Sequence, residues 1–371
     1  MKKIKTITCH DVYNTGASLQ AYALCKYLGS MGHDAQVIDY KPDYLSNHYS
    51  FTLIPNPRFN KPLLREVYLL AKFPGRLKRR FGKRKKAFDS FTREYLPLTA
   101  KRYRSNDELK QDIPEADVYF AGSDQIWNTL FPNGKDPAFY LDFAPKGAIK
   151  ASYAASFATE TVADEWKDTL KERISALDFV SVREKSGLNI LADLGISGGC
   201  QVLDPVFLLG AAHWRSIAKT WNGVPKEPYL LVYDFDGNDA MTEFAKTLAQ
   251  KHGWKVVSFL KHPVFSENYG EEGPIAFLSL IDNAQAVLSN SFHATAFSLI
   301  FGKEFWAFNR KEAINTRMRD MVGSVGLQDR LVCDSTAPET PIDYAAVNAR
   351  LQEQIEASKE YINRVITEKK A

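Results

Sequence analysis

Along the 371-residue chain, short apolar runs rich in β-branched and aromatic residues alternate with longer stretches whose apolar positions recur every three or four residues. That double rhythm predicts a parallel sheet wrapped by helices. In the first half, residues 5–9, 35–40, 118–121, 150–154, 179–182 and 201–203 read as strands, and 17–31, 162–176 and 184–194 as helices. A second series follows the Gly/Pro-containing stretch 222–228, with strands at 229–234, 255–260, 286–288 and 305–308 and helices at 239–251, 275–284 and 294–301. Two such series predict an α/β chain of two Rossmann-like domains facing a cleft, residues 1–215 and 216–371. Each presents the carboxyl ends of its strands to the cleft, where ligands bind in open parallel sheets. Residues 60–104 interrupt the first series and read as a helical insertion. The segment 342–369 reads as a helix that packs back onto the first domain.

Length alone calls for two domains or more. With 45% hydrophobic, 25% charged and 12% aromatic residues, the composition excludes collagen-like, disordered and multi-span membrane classes. The longest uncharged window, 284–302, is interrupted by Asn290, Ser291, His293, Thr295 and Ser298, so it reads as a buried strand-turn-helix. Cys9, Cys25, Cys200 and Cys333 form neither CxxC nor zinc-ligand spacings, which points to a reducing compartment and no structural metal. The start, MKKIKTITCHDVYNTG, lacks the apolar core of a signal peptide, so a cytoplasmic location is expected.

The net charge of +4 hides an asymmetry. Residues 72–86, KFPGRLKRRFGKRKK, hold nine Lys or Arg and no acid, so the other residues carry 39 basic against 44 acidic side chains. Such a block is either a solvated helix or a contact for an anionic membrane surface. No zinc-finger, RRM or helix-turn-helix pattern accompanies it, and nucleic acid is not expected as a partner.

Five clusters carry polar chemistry at predicted strand ends. The first, from His10 to Ala17, includes Asn14 and Gly16 in a strand-to-helix turn whose free N–H groups suit an anion or a sugar hydroxyl. The second, Gly122-Ser123-Asp124-Gln125-Ile126-Trp127-Asn128, follows an apolar strand; its polar groups are costly to bury without partners. Either a ligand bonds them, or Asp124 caps a helix and Trp127 plugs the core. In the third, Arg183 offers a planar five-donor fork for phosphate or carboxylate, or pairs with Glu184 or another acid. The fourth, Ser289-Asn290-Ser291-Phe292-His293, places Ser291 as a helix cap and His293 in the first helical turn, facing the cleft. In the fifth, Asn315-Thr316-Arg317-Met318-Arg319, Arg317 is a second anion contact, while Arg319 and the later Arg330 are exposed or paired. HExxH, P-loop and GxGxxG motifs are all missing from the sequence.

Together, NTGASLQAYAL, GSDQIWN, YLDFAP with SYAASF, SVREKSG, LDPVFLL, GPIAFLSLIDNAQAVLSNSFHATAF and NTRMRD resemble the polysaccharide pyruvyl transferase family over most of the chain. The resemblance implies a GT-B-like fold. It also implies transfer of pyruvate from phosphoenolpyruvate, as co-substrate and without a cofactor, to two hydroxyls of a sugar in a bacterial capsule, exopolysaccharide or cell-wall glycan precursor. The sugar would become a cyclic ketal, and phosphate would leave. Many members carry Arg-Leu-His where this chain has Ser291-Phe292-His293, so His293 carries over and the arginine does not.

This chemistry needs an acid, a base and anion clamps. His293 is the expected acid, or the stabiliser of departing phosphate, and Asp124 the expected base. Arg183 and Arg317 would clamp the donor; Asn14, Gln125 and Trp127 would shape the acceptor site; and Gly16, Ser123, Asn290 and Ser291 would complete the substrate-binding set. A lipid-diphosphate-linked acceptor would place the enzyme at the inner membrane face through residues 72–86. Two rivals stand beside this reading. One is a nucleotide-sugar glycosyltransferase, for which Glu304 and Glu312 match an E-x7-E spacing in an unfavourable context; the other is a catalytically silent scaffold of a glycan-assembly complex.

Overall fold

Four of the five residues of β1 (Lys3–Ile7) are buried, as befits the central strand of a sheet covered on both faces. The computed structural model describes residues 1–54, 56–311, 316–332 and 340–368. In it β1 pairs in parallel with β2 (Asp34–Tyr40), which pairs with β3 (Leu98–Tyr103); on its other side β1 pairs with β4 (Val118–Ala121), and β4 with β5 (Ile149–Ser152). A parallel pair, β6 (Ser181–Val182) and β7 (Cys200–Gln201), is bridged to this sheet through Ala151–Phe179 and Ala155–Val182.

The second sheet is also parallel. It contains β8 (Tyr229–Tyr233), β9 (Lys255–Ser258), β10 (Ala286–Ser289), β11 (Glu304–Phe308) and β12 (Leu331–Val332), in the order β12-β11-β10-β8-β9. The chain is thus an α/β fold of two Rossmann-like halves, in the GT-B-like arrangement expected.

The helices of the first half are α1 (Thr15–Ser30), α2 (Pro62–Arg80), α3 (Lys83–Tyr95), α4 (Asn106–Gln111), α5 (Asp164–Ser175) and α6 (Lys185–Asp193). Those of the second are α7 (Ala211–Ala218), α8 (Asp239–His252), α9 (Gly273–Asn283), α10 (Phe292–Phe301), α11 (Thr316–Ser324) and α12 (Tyr344–Thr367). Local chemistry sets their ends. Asn14 caps α1 by accepting from Ala17 N, Ser291 caps α10, and Gly302 ends α10 in the left-handed region at φ +68°.

One expected element differs. Residues 60–104 are not wholly helical, because Leu98–Tyr103 forms edge strand β3. Ala100, Lys101 and Arg102 are exposed there, and a polar edge strand loses the alternation that would reveal it.

The first turns of α1 and α10 meet between the halves. α1 is apolar almost all round because it lies between the two halves, against α9 and the 3-10 turn Pro205–Leu208. Tyr22 contacts His213 Nε2 through its hydroxyl (2.8 Å) and meets the Trp214 ring edge-on, and Trp214 in turn meets Phe297 edge-on. Helix α12 packs back onto the first sheet as expected: Tyr361 donates to Ser152 O (2.7 Å), and Ile362, Val365 and Ile366 join Ile4, Leu24 and Val118 in one core cluster. Among the described residues no helix is long and apolar enough to cross a membrane.

Candidate active site

Strand order reverses between β1 and β4 in the first sheet and between β8 and β10 in the second. At such switch points the loops leaving the strands part in opposite directions and open a crevice at the carboxyl edge. Here the two crevices face one another and close around one cavity. Asn14, Asp124 and Gln125 line it from the first half; Phe235, Asn290, Ser291, Phe292 and His293 line it from the second. Arg310, just past β11, and Arg317 and Met318, on α11, complete the wall.

His293 sits where the halves touch. Ser291 fixes it by donating its backbone N–H to Ser289 Oγ (2.9 Å) and accepting from Ala294 N (3.4 Å), which sets the first turn of α10. The imidazole Nε2 lies 3.5 Å from Asp204 Oδ2, and the other edge of the ring rests on the first turn of α1. A Cβ at Gly16 would fall 1.9 Å from Nδ1, so Gly16 is the gap that admits the ring.

Asp204 was not among the expected site residues. It caps the turn Pro205–Leu208 by accepting from Val206 N (3.1 Å), and its second oxygen takes Arg183 Nη1 at 2.6 Å. Burial would raise its pKa, but His293, Arg183 and the Val206 N–H outweigh that and pull it down to about 2. The motif LDPVFLL carried this residue, yet an aspartate before proline reads as a turn former unless its partners are known.

Arg183 does not line the cavity, which corrects its expected place on the donor. It is buried among Asp204 (2.6 Å), Asp124 (3.3 Å) and Glu184 (4.0 Å), with Phe292 across its face. Burial disfavours its charge, but the three carboxylates more than compensate and raise its pKa.

Asp124 is held in the left-handed region at φ +74°, with Oδ1 between Arg183 and Arg317 (3.6 Å). Burial would raise its pKa, but Arg183, His293 and Arg317 hold it below the usual carboxylate range. A carboxylate so stabilised is a weak proton acceptor, so Asp124 anchors two arginines and is poorly suited to the base role expected of it. It caps no helix.

Two cations do face the cavity. Arg317 is buried, and burial together with Arg183 lowers its pKa to about 10, which leaves it charged at neutral pH. The Gln125 amide oxygen accepts from its Nη2 at 2.6 Å. Arg310, which sequence reasoning missed, lies over the Phe235 ring and reaches Asp236 at 3.3 Å. The signal was the one used elsewhere, a cation just past a strand's carboxyl end.

Other expectations resolve into packing. Trp127 is fully buried, stacks on Tyr140 and donates Nε1–H to Phe139 O (3.1 Å), so it plugs the core and shapes no acceptor site. Ser123 is likewise buried: its hydroxyl donates to Ala154 O (2.7 Å) and its N–H to Gln20 (3.1 Å). Asn290 lines the cavity, but its amide is committed to Asp234 (2.7 Å) and Phe235 N (3.0 Å). Glu304 pairs with Arg330 (2.8 Å) and accepts from Ile342 N, a structural role; Arg319 pairs with Glu160. Glu312, Asn315 and Cys333 lie outside the described residues.

A second, larger cavity of about 1010 Å³ adjoins the first at the β1–α1 turn, where Tyr13 lines the large one and Asn14 the small one. Six cations line it (Lys41, Arg80, Lys85, Arg93, Arg102 and Arg104) against three acids, together with the rings of Tyr13, Tyr49 and Phe51.

The sequence model of the polysaccharide pyruvyl transferase family matches residues 14–312, a span that includes the whole of the small cavity's wall except Arg317 and Met318. The chain belongs to this family. No curated protein matches the sequence. Among solved structures the chain is similar to UDP-GlcNAc 2-epimerase from Neisseria meningitidis bound to UDP-GlcNAc, at 11% identity and TM-score 0.48 over 99% of this chain and 95% of that one. It is also similar to a putative UDP-N-acetylglucosamine 2-epimerase from Listeria monocytogenes (9%, TM-score 0.49, 96% and 97%) and to the E. coli ADP-heptose lps heptosyltransferase II (13%, TM-score 0.37, 96% and 99%). As a family member, the protein is a transferase with two facing Rossmann-like halves.

Proposed function

We propose that the protein transfers the pyruvyl group of phosphoenolpyruvate to two hydroxyls of a sugar, forming a cyclic ketal and releasing phosphate. The observation that carries this reading is the convergence of Arg310, Arg317, His293 and the amino ends of α1 and α10 on one cavity. A ligand bearing both a carboxylate and a phosphate needs such a set of cations and free N–H groups when it leaves water.

In this scheme His293 gives a proton to the methylene carbon of phosphoenolpyruvate, which makes the central carbon electrophilic. One sugar hydroxyl adds there, and its proton restores the imidazolium. A neighbouring hydroxyl then forms the second C–O bond as the C–O bond to phosphate breaks, and its proton leaves with the phosphate. Asp204 is a positioning residue: it faces His293 Nε2 at 3.5 Å and orients the ring. The scheme calls on no cofactor. The larger cavity, with its excess of cations and its rings, is the acceptor route, and it suits a sugar carried on a diphosphate, as a lipid-linked glycan precursor is.

Calorimetry with phosphoenolpyruvate and a panel of nucleotide sugars tests the reading. Phosphoenolpyruvate should bind, and Arg317→Ala should weaken it by about 1.5–3 kcal/mol. Binding of a nucleotide sugar alone would favour a glycosyltransferase, and binding of neither a silent scaffold.

A further inference from the structure

A helix on a protein surface normally turns its apolar side inward, and α2 turns its longest apolar stripe outward. At 100° per residue, Leu63, Val67, Leu70, Phe73, Pro74 and Leu77 fall on one arc of about 120°, in which Glu66 is the one charged residue. That arc points to solvent: Leu63 is 85% exposed, Val67 64% and Leu70 73%. No residue of α2 is buried; the helix is half-buried toward the protein at Tyr68, Leu69 and Arg76, where Tyr68 stacks on Phe59 and the Arg76 guanidinium donates to Phe51 O and Leu53 O. Phe81, just past the helix end, continues the stripe and is also exposed.

The charges around the stripe say what covers it. Lys78 and Arg80 flank it, one on each side, and Lys72, Lys78 and Lys86 are exposed. The first turn of α3 is Lys83-Arg84-Lys85-Lys86 with no acid, although a helix amino end favours negative charge. Lys83 and Lys85 are paired with Glu272 and Asp89. A second copy of this chain would bring like charges together along the stripe, and nucleic acid would leave the apolar arc in water. An anionic lipid bilayer satisfies both features, since it takes apolar side chains between its headgroups and meets the flanking cations with phosphates.

We propose that α2 is an interfacial helix that lays its Leu63–Leu77 stripe into an anionic membrane surface, with Lys78 and Lys86 against the headgroups. This extends the contact expected for residues 72–86 upstream by more than two turns, into a part of the helix where apolar exposure, not charge, dominates. It also places Arg80, at the end of α2, on the wall of the larger cavity, so that cavity would adjoin the bilayer.

The test is co-sedimentation of the full chain with phosphatidylcholine vesicles, with and without phosphatidylglycerol. The triple variant Leu63→Ser, Val67→Ser, Leu70→Ser removes apolar area that packs on nothing, so its thermal transition should match the wild type. Its affinity for the anionic vesicles should drop about tenfold or more. The double variant Lys78→Gln, Lys86→Gln should weaken binding and flatten its salt dependence. Equal binding to neutral and anionic vesicles overturns the proposal, as does wild-type binding by the serine variant. Self-association without lipid that the serine variant abolishes would assign the stripe to a second copy and overturn it as well.

Discussion

The two walls of the small cavity are built by the same device, a loop leaving a switch-point strand, yet they differ in charge. The first wall offers Asn14, Asp124 and Gln125, and behind it Arg183 is enclosed by carboxylates. The second offers His293 and, from elements beside it, Arg310 and Arg317. Cations that face the space come from the second half; the acids facing His293 and Arg317 come from the first, while Arg310 is held by Asp236 of its own half. The pairs Asp204–His293 and Asp124–Arg317 cross between the halves, so the second wall is charged toward the cavity because the first wall supplies the counter-charge. A bound anion would rest on the second half and be aligned by the first.

The sharpest test of that division is His293→Gln, which keeps polarity and size but cannot donate as an acid. Phosphate release from phosphoenolpyruvate should fall by about 10²–10⁴-fold with the fold intact. Near-normal turnover would move the acid elsewhere in the wall.

Arg183 and Arg317 make the next contrast, since both are buried and only one faces the cavity. Arg183→Ala leaves Asp124, Asp204 and Glu184 without their shared cation, and should cost about 3–5 kcal/mol of stability in chemical denaturation. Arg317→Ala should lower affinity for phosphoenolpyruvate more than it lowers stability. Stable Arg183→Ala protein that no longer binds the donor would reverse the two assignments.

These contrasts also show how far the residues could be read without coordinates. The rule that polar groups past an apolar strand belong to the cleft found Asn14, Asp124, Gln125, Ser291 and His293, because a parallel sheet must put those turns at one edge. The rule could not tell a cavity-facing group from one satisfied internally. Ser123 and Trp127 sit in the same turn as Asp124, but their partners, Ala154 O and Phe139 O, lie 31 and 12 residues away in sequence. Sequence left Arg183 open between a free fork and a paired one because Asp204, the acid that holds it at 2.6 Å, comes 21 residues later on a different strand end. β3 and its polar edge were hidden for the same reason, since its pairing partner in β2 is more than fifty residues upstream.

At Gly16 the His293 ring of the second half rests on α1 of the first, and Gly16→Ala is a one-methyl change that pushes on that contact. Alanine in the first turn of α1 favours the helix by less than about 1 kcal/mol, the helix-interior gain over glycine, which would raise stability if the site were open. Instead its methyl meets His293 Nδ1. Displacing the ring by about 1 Å should lower turnover about 10²-fold. Unchanged kcat with a higher melting temperature would show that the ring does not rest there in solution.

The smallest expected effect concerns Asp204 alone. Its carboxyl ionises at about 2 in the folded chain, against 3.8 as the ordinary value, because His293 and Arg183 overcome the cost of burial. A depressed folded pKa adds stability that is fully present above the unfolded pKa and is lost as pH falls from about 4 toward 2, when the carboxylate takes up a proton and both cations lose their partner. The contribution is roughly 2 kcal/mol at neutral pH. Asp204→Asn keeps an oxygen to accept from Val206 N but cannot titrate, so the variant should be less stable at pH 7 and lose less on acidification. Urea unfolding across pH 2–6 measures the difference. Parallel curves for the two proteins would mean that the His293 and Arg183 contacts do not hold this carboxylate, and the first wall would then carry no counter-charge for the second at its deepest point.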